Sequence, residues 1–273
     1  MSRIGRWLGR FFAEWGPVVI AVLLIRSFVV EAFMVPTGSM EDTILVGDCF
    51  LVNKFVYGVK LPFTNNTVVR VSRPRRGDIV VFRTPAEPDA PPAERYARIF
   101  PGWLPLFPVF WDRAAHFFKW YIPTNLIKRC VAVAGDTVEC RNKQLYINGR
   151  LQVEPYASHQ DYRVLPGLQA AGAKLDFQQA WVERRFFRTE LSVYIRDEFG
   201  PVVVPDGHIM VMGDNRDNSE DARFFGPLPL RYVKGRPLVT YFSTSAAGNP
   251  PNIPKIVLSP WAIRLDRIGH IVR

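Results

Sequence analysis

Short runs of β-branched and aromatic residues, each ended by Gly, Asp or Asn, recur along most of this 273-residue chain. Helical periodicity is scarce between them. Runs of this kind are typical of strands, and Asn148-Gly149 between two of them predicts a type I′ hairpin turn. We therefore expect a mostly β fold. The clearest runs are GDIVVF at 77–82, KRCVAVAGD at 128–136, QLYINGRLQV at 144–153 and PVVVPDGHIMVMGD at 201–214.

An apolar segment near the N-terminus does not fit this pattern. Its uncharged part, from Trp15 to Ile25, has 11 residues, whereas roughly 20 are needed to span a bilayer. Extension to Val30 includes Arg26, whose long side chain could reach the membrane interface. Hydropathy alone leaves two interpretations, a cleaved signal peptide and a retained signal-anchor helix. In both, the basic residues Arg3, Arg6 and Arg10 hold the N-terminus in the cytoplasm and put the chain from Val35 outside it.

The net charge of +10 is compatible with nucleic acid, anionic lipid or acidic partners. No nucleic-acid-binding motif accompanies it, and the basic residues are spread along the chain, so an anionic membrane surface explains the charge better. The three cysteines and four histidines have no metal-binding spacing, and we expect neither metal nor cofactor. Cys130 and Cys140 could form a disulfide or remain buried thiols.

Two stretches are interpreted as insertions. Residues 84–124 begin with a Pro-rich loop and continue with a region dense in Trp and Phe. These aromatics suit either a membrane interface or packing on the β core. Residues 154–198 are polar and charged, and are predicted to form part of a smaller appended β subdomain.

Ser39 lies in PTGSM, residues 36–40, shortly after the apolar segment. A catalytic serine needs a base to take its proton and an oxyanion hole to receive the developing charge. A Ser-His-Asp triad is not excluded, but no histidine lies in a motif with a neighbouring carboxylate. They are His116, His159, His208 and His270.

Lys128 is the alternative base, because the preceding Leu126 and Ile127 and the strand that follows give it apolar surroundings. At an ordinary pKa of ~10.4, only about one lysine in a thousand is neutral near pH 7.4, so burial would have to lower the pKa. A solvated lysine on an edge strand is the competing interpretation.

A third polar element, MGDNRDNSEDARFFGPL, covers residues 212–228. Arg216 stands where a calcium loop would need a ligand, so a metal site is not expected there. Its polar groups are predicted to hydrogen-bond one another in a rigid turn. Asp221 and Arg223 could form an ion pair, and Ser219 offers a hydroxyl to a neighbouring amine.

Four blocks occur in order behind the apolar segment: PTGSM at 36–40, RRGDIVVF at 75–82, IKRCVAVAGD at 127–136 and GDNRDNSEDAR at 213–223. Together they closely resemble the bacterial type I signal peptidases (leader peptidases), membrane-bound Ser/Lys endopeptidases that remove signal peptides from exported proteins. The closing RLDRIGHIVR adds weaker support.

The resemblance implies a role for each matched residue. Ser39 would be the nucleophile and Lys128 the general base, with Ser219 hydrogen-bonded to Lys128. The backbone N–H of Ser39 and the hydroxyl of Thr37, where relatives often have Ser, would form the oxyanion hole. Structural residues beside the site would be Gly213, Asp214, Asp221 and Arg223. The shallow apolar substrate pockets would be lined by Phe33, Val35, Met40, Ile44, Leu126 and Ile127. Asp42 departs from a common Pro, and Ala222 from a frequent Ser.

The implied architecture is an N-terminal transmembrane helix followed by an antiparallel β catalytic core with an inserted smaller β subdomain. Residues 1–35 would be the cytoplasmic tip and retained anchor, and residues 36–273 the catalytic domain on the periplasmic or extracellular side of the cytoplasmic membrane. Its partners would be secretory preproteins, cut after Ala-x-Ala sites, and membrane lipid, but not nucleic acid. The substrate would bind extended against an exposed strand.

Two rival interpretations are weaker. A self-cleaving Ser/Lys repressor would require a DNA-binding domain before the catalytic part, where this sequence has only the apolar segment. A catalytically idle peptide-binding module would have little reason to keep Ser39, Lys128 and Ser219 together.

Overall fold

The computed structural model describes residues 13–18, 30–60, 67–69, 71–84, 96–98, 109–112, 116–120, 125–172, 175–246 and 259–272. Residues 13–18 are helical, and the rest of the expected anchor up to residue 29 lies outside the described residues. Within these ranges, no helix is long and apolar enough to cross a membrane.

The described strands and helices follow one another in short elements. The strands are β1 (Val30–Met34), β2 (Asp48–Asn53), β3 (Val59–Lys60), β4 (Thr67–Val69), β5 (Ile79–Arg83), β6 (Tyr96–Arg98), β7 (Val109–Asp112), β8 (Phe117–Trp120), β9 (Asn125–Val133), β10 (Thr137–Arg141), β11 (Gln144–Ile147), β12 (Arg150–Leu151), β13 (Phe199–Val203), β14 (His208–Met212), β15 (Leu228–Pro229) and β16 (Val233–Ser243). Besides the helical residues 13–18, the α-helices are α1 (Phe177–Val182) and α2 (Ala222–Phe225).

The strands form antiparallel sheets. The main sheet has seven strands in the order β1-β2-β16-β5-β9-β14-β15, and a four-stranded sheet has the order β12-β11-β10-β13. Two smaller sheets contain β3-β4 and β6-β7-β8. Neighbouring strands are antiparallel in each. The prediction of a mostly β, antiparallel fold is confirmed.

Both faces of the main sheet are covered by apolar side chains. Successive residues of a strand face opposite sides, so Val80 and Phe82 of β5 join a large apolar cluster while Ile79 and Val81 join a smaller one. The large cluster includes Trp181 of α1, whose indole N–H donates to the carbonyl oxygen of Ala222 at 2.6 Å. A strand buried on both faces is therefore held firmly next to β9.

The N-terminal boundary of the folded domain differs from the prediction. Residues 30–34, which the sequence grouped with the anchor, form β1 and pair with β2. Its antiparallel pairing with β2 makes this stretch part of the sheet, although it continues directly from the apolar segment. The sheet therefore begins at Val30 and not after residue 35.

The region 154–198 also differs from its prediction. In its described residues it holds α1 and turns of 3-10 helix but no strand, and the appended sheet is built by β10–β13 on either side of it. The helix forms because Asp176 caps it by accepting from the N–H of Gln179 at 3.0 Å. Phe177 and Trp181, four residues apart, then pack into the large cluster.

The hairpin turn predicted at Asn148-Gly149 is present in the structure. Asn148 and Gly149 have φ of 52° and 74°, as a type I′ turn requires, so that prediction is confirmed. Cys49, Cys130 and Cys140 are buried free thiols, so the disulfide alternative is wrong. Of the aromatic insertion, the structure describes chiefly β6, β7 and β8, and its two interpretations stay predictions.

Replacing Gly149 with Ala should lower the free energy of unfolding by about 1–2 kcal/mol, because a Cβ is unfavourable in the left-handed conformation. No atom lies within 4 Å of the position that the Cβ would take, so steric overlap adds nothing. Gly149→Asn is the matched control and should cost less, since Asn adopts this conformation more readily. Urea denaturation measures both, and equal losses would contradict the explanation.

Candidate active site

Ser39 lies in the connection between β1 and β2, residues 35–47, which we call the nucleophile turn. Met40 and Ile44, both fully buried, anchor this turn in the smaller apolar cluster. The N–H of Ile44 donates to the carbonyl of Met40 at 2.8 Å, and the N–H of Val35 donates to the carbonyl of Asp48 at 2.9 Å. The turn is thus fixed by apolar anchors inside it and by hydrogen bonds at its base.

Asp42, in the same turn, has φ of 78°. Proline cannot adopt this value because its ring fixes φ near −65°. Asp is among the residues that enter the left-handed region most readily. The departure from the Pro that the family often has at this position therefore fits the local backbone.

Lys128 lies at the middle of the main sheet, on β9, with Val80 of β5 as its cross-strand partner. Its side chain is fully buried, and its Nζ hydrogen-bonds to the Oγ of Ser39. Burial lowers the pKa of Lys128 to about 8, while the charge of Asp221 acts in the opposite direction. At that pKa roughly a fifth of the lysine is neutral near pH 7.4. Lys128 is therefore not the solvated edge-strand lysine of the competing interpretation.

The predicted ion pair between Asp221 and Arg223 is present and fully buried. The Nε and Nη2 of Arg223 each donate to Asp221 at 2.9 Å. Burial raises the pKa of Asp221, but the charge and hydrogen bonds of Arg223 outweigh it, so the pKa lies below its ordinary value. Arg223 also donates to the carbonyls of Arg216 and Arg196 at 2.7 and 2.6 Å. The pair thus connects Asp221 to the carbonyls of Arg216 and Arg196, and its role in stiffening the polar loop, residues 213–223, stays a prediction.

Ser219 has a different partner from the one that the sequence suggested. Its hydroxyl donates to the Oδ2 of Asp221 at 2.8 Å. Both Ser219 and Lys128 belong to the described chain, and no hydrogen bond joins them there. The hydroxyl has one proton to donate, and a carboxylate is a stronger acceptor for that proton than a neutral amine. Ser219 therefore hydrogen-bonds to Asp221, the lysine's electrostatic neighbour, and not to the lysine.

Gly213 lets the polar loop approach the nucleophile closely. A Cβ at this position would overlap the hydroxyl oxygen of Ser219 and the carbonyl oxygen of Ser39. A hydrogen bond strengthens this contact, because the N–H of Asn215 donates to the carbonyl of Ser39 at 3.2 Å. Any side chain at residue 213 would push the nucleophile turn away from the loop.

Asp214 connects the polar loop to two other segments. It accepts two hydrogen bonds from Arg129 of β9, at 2.9 and 2.7 Å, and one from the hydroxyl of Thr43 at 2.6 Å. The guanidinium of Arg129 also lies 3.9 Å from the ring centroid of Tyr156. Sequence reasoning missed Arg129 and Thr43, although a second buried charge beside Lys128 signals a carboxylate partner elsewhere.

The C-terminal residues hold the nucleophile turn from the opposite side. Arg267 donates to Asp48 at 2.6 Å and to the carbonyl of Thr43 at 3.1 Å. Burial raises the pKa of Asp48, but its hydrogen bonds to Arg267 and Ser243 bring the pKa below the ordinary value. The motif RLDRIGHIVR, a weak signal in the sequence, therefore contributes to positioning Ser39.

The remaining expected residues are partly brought together. Phe33, Val35, Met40, Ile44 and Ile127 share the smaller cluster. Leu126 packs against the large cluster instead, because adjacent strand residues face opposite sides, and it shares its side with Lys128. Thr37 is exposed beside the turn. Among the described residues, no acceptor is bonded to the backbone N–H of Ser39, so this donor is available.

Histidine and metal chemistry find little support in the described part of the chain. The Ser39 hydroxyl contacts Lys128, and no described histidine hydrogen-bonds to it. No group of three or more His, Cys, Asp or Glu side chains in the described residues is arranged to hold a metal ion. The carboxylate of Asp214 is occupied by Arg129 and Thr43.

A serine hydroxyl held against a buried amine, on an antiparallel β core, is typical of a serine hydrolase. The family model described as signal peptidase, peptidase S26, matches residues 8–242. The chain belongs to this signal peptidase family, and it is a serine protease whose substrates are preproteins with signal peptides.

Two bacterial signal peptidases are similar to the chain over most of its length. The chain is 33% identical over 254 residues to signal peptidase I of Pseudomonas aeruginosa, covering 88% of this chain and 75% of that protein. It is 35% identical over 210 residues to signal peptidase I of Pseudomonas fluorescens, covering 77% and 60%. A crystal structure of a signal peptidase I from Enterococcus faecalis V583 is similar at 22% identity and a TM-score of 0.31, covering 61% of this chain and 97% of that one.

Gly213→Ala should reduce kcat for cleavage of a signal-peptide substrate by about tenfold or more, because a displacement of the nucleophile of roughly 1 Å costs rate steeply. Gly207→Ala is the control, since that glycine has a φ of +74° but no atom within 4 Å of its Cβ position. The control should lose stability and keep its kcat. Steady-state kinetics and thermal melts separate the two effects, and an unchanged kcat in Gly213→Ala would contradict the steric argument.

Proposed function

We propose that this chain is a membrane-bound endopeptidase that removes N-terminal signal peptides from exported preproteins, with Ser39 as nucleophile and Lys128 as general base. The observation that carries the proposal is the hydrogen bond between the buried Lys128 amine and the Ser39 hydroxyl. A serine becomes a good nucleophile when such a base stands within hydrogen-bond reach.

The reaction runs in two steps. Neutral Lys128 takes the proton from the Oγ of Ser39 as Oγ attacks the carbonyl carbon before the scissile bond. The oxyanion is stabilised by the backbone N–H of Ser39 and the exposed hydroxyl of Thr37. The Lys128 ammonium then gives its proton to the leaving amine, which leaves an ester on Ser39. Lys128 then takes a proton from water, the resulting hydroxide attacks the ester, and the lysine ammonium returns the proton to the leaving Oγ, which restores the serine.

The charged neighbours of Lys128 adjust its pKa and with it the fraction of the amine that can act as a base. Asp221 favours the charged amine and Arg223 the neutral one. Because Arg223 pairs with Asp221, the carboxylate opposes burial only in part. The amine then keeps a pKa near the working pH, where general-base catalysis is most effective. In this scheme Ser219 is a positioning residue that acts through Asp221.

The substrate would bind extended along β1, an edge strand of the main sheet. Phe33, Val35 and Ile127, which share an apolar cluster with Met40 and Ile44, would line a shallow groove that admits small side chains. This favours small residues at the first and third positions before the cut, as in Ala-x-Ala sites.

A location at the membrane surface is supported by apolar side chains exposed near the C-terminus. Trp261 is 80% exposed and Leu265 is 74% exposed. Exposed apolar groups of this size suit contact with lipid. Residues 1–29 would supply a single-pass anchor with its N-terminus in the cytoplasm, and the catalytic domain would lie on the periplasmic or extracellular side. The active site would then meet preproteins close to their own membrane-inserted segment.

Cleavage of a secreted preprotein with an Ala-x-Ala site by the detergent-solubilised full chain tests the proposal. Mass spectrometry should place the cut after the second Ala, and Ser39→Ala and Lys128→Ala should each abolish it. Ser245→Ala, at an exposed serine, is the control and should keep full activity. Cleavage that survives in Lys128→Ala would show that the base is elsewhere. No cleavage by the wild type would favour a peptide-binding module.

The pH dependence of kcat/KM gives a second test. Because the neutral amine is the active form, kcat/KM should rise with pH through a midpoint at the Lys128 pKa of about 8. The charge of Glu220, an exposed side chain, raises this pKa, so Glu220→Gln should move the rise to lower pH. Glu190→Gln, also at an exposed residue, should leave the profile in place. A shift in the opposite direction would exclude Lys128 as the titrating base.

A further inference from the structure

A group of charged side chains continues the proposed substrate groove at the end away from Ser39. On β1, Phe33 pairs with Phe50, and Glu31, two residues earlier, pairs with Val52. Residues two apart on a strand face the same side, so Glu31 follows Phe33 along one face of the sheet. Lys234 of β16 places its Nζ 5.8 Å from the centroid of the Phe33 ring. We call Glu31, Lys54, Arg83 and Lys234 the cationic end of the groove.

Three of the four side chains at this end, those of Lys54, Arg83 and Lys234, are basic. The carboxylate of Glu31 pairs with Lys54 at 3.4 Å, with about a quarter of each side chain exposed. In the part of the chain that the structure describes, no carboxylate forms an ion pair with Lys234. Burial lowers the pKa of Lys234, Glu31 opposes this, and the charges of Lys54 and Arg83 add to the lowering. A negative or hydrogen-bond-accepting group brought to Lys234 would offset both the burial and the repulsion.

The position of this end relative to the cut follows from strand geometry. On β9, Asn125 comes two residues before Ile127 and lies opposite Arg83 of β5. Two residues of strand cover about 7 Å, and an extended substrate covers the same distance with two residues. If the third side chain before the cut lies over Phe33 and Ile127, the fifth points to the same face at the cationic end.

We propose that Lys234 forms a subsite for the fifth residue before the cleaved bond, which takes acidic or hydrogen-bond-accepting side chains and disfavours basic ones. This inference rests on the proposed function, because it takes the first and third substrate residues to occupy the apolar part of the groove. It concerns substrate choice and leaves the chemistry at Ser39 unchanged.

Three substrates that share one Ala-x-Ala site and differ only in the fifth residue before the cut, Glu, Gln or Lys, test the subsite. With the full chain in uncharged detergent, kcat/KM should fall in the order Glu, Gln, Lys. The ratio of the Glu to the Lys substrate should be about three- to tenfold, the size expected when a partly exposed charge attracts one side chain and repels the other. Added salt should reduce the ratio through screening.

Variants of Lys234 then identify the source of the preference. Lys234→Met keeps an apolar stem beside Phe33 and should bring the Glu to Lys ratio close to one, whereas Lys234→Glu should invert it. Arg236→Gln is the matched control, since Arg236 lies on the same strand but reaches Asp78 at 3.4 Å. It removes one positive charge and should retain the wild-type ratio.

The outcomes separate this inference from the function on which it rests. A wild type that cuts all three substrates at equal rates after the second Ala would overturn the subsite and keep the peptidase. A charge preference that persists in Lys234→Met would also overturn it, because the preference would then come from another group. A wild type that cuts none of the three substrates would contradict the proposed function itself.

Discussion

Lys128 is enclosed by protein on β9, with strands of the main sheet on both sides, and its buried amine hydrogen-bonds to the nucleophile Ser39. Because of this burial, the lysine is harder to protonate than a lysine in water. Its pKa of about 8 lies below its ordinary value of 10.5. Between these two values the unfolded chain binds the proton and the folded chain does not, so this group makes the fold more stable as pH rises through that window.

The geometry at Ser39 depends on segments that are far apart in the chain. The polar loop after β14 touches the nucleophile turn through Gly213 and Asp214, and Arg267 near the C-terminus bonds to the same turn from the other side. These contacts join charged or polar groups that are buried or partly buried, so losing one partner leaves the other costly to bury. The nucleophile is therefore positioned by the whole β core and not by its own short motif.

Much of the fold and part of the candidate site could be predicted from the sequence, because strand runs and turn residues are local signals. The Asn148-Gly149 turn and the Asp221–Arg223 pair are examples. The partner of Ser219 could not be predicted, because a hydroxyl between an amine and a carboxylate can hydrogen-bond to either group. The bonding of Arg129 to Asp214 joins residues 85 positions apart, for which sequence holds no distance information. The helix in 154–198 was missed because α1 has only six residues, too few for a clear period.

The connection between β5 and β9 has a consequence for how such a chain can change. Arg83 and Asn125 are cross-strand partners, so the 84–124 segment leaves and rejoins the sheet at adjacent points. Loop closure entropy grows only with the logarithm of length, and shortening a connection tenfold changes it by about 2 kcal/mol. Residues can therefore be gained or lost in this connection without moving Lys128 along β9. It is the natural place for lineages to diverge, or for an engineer to graft a foreign domain next to the groove.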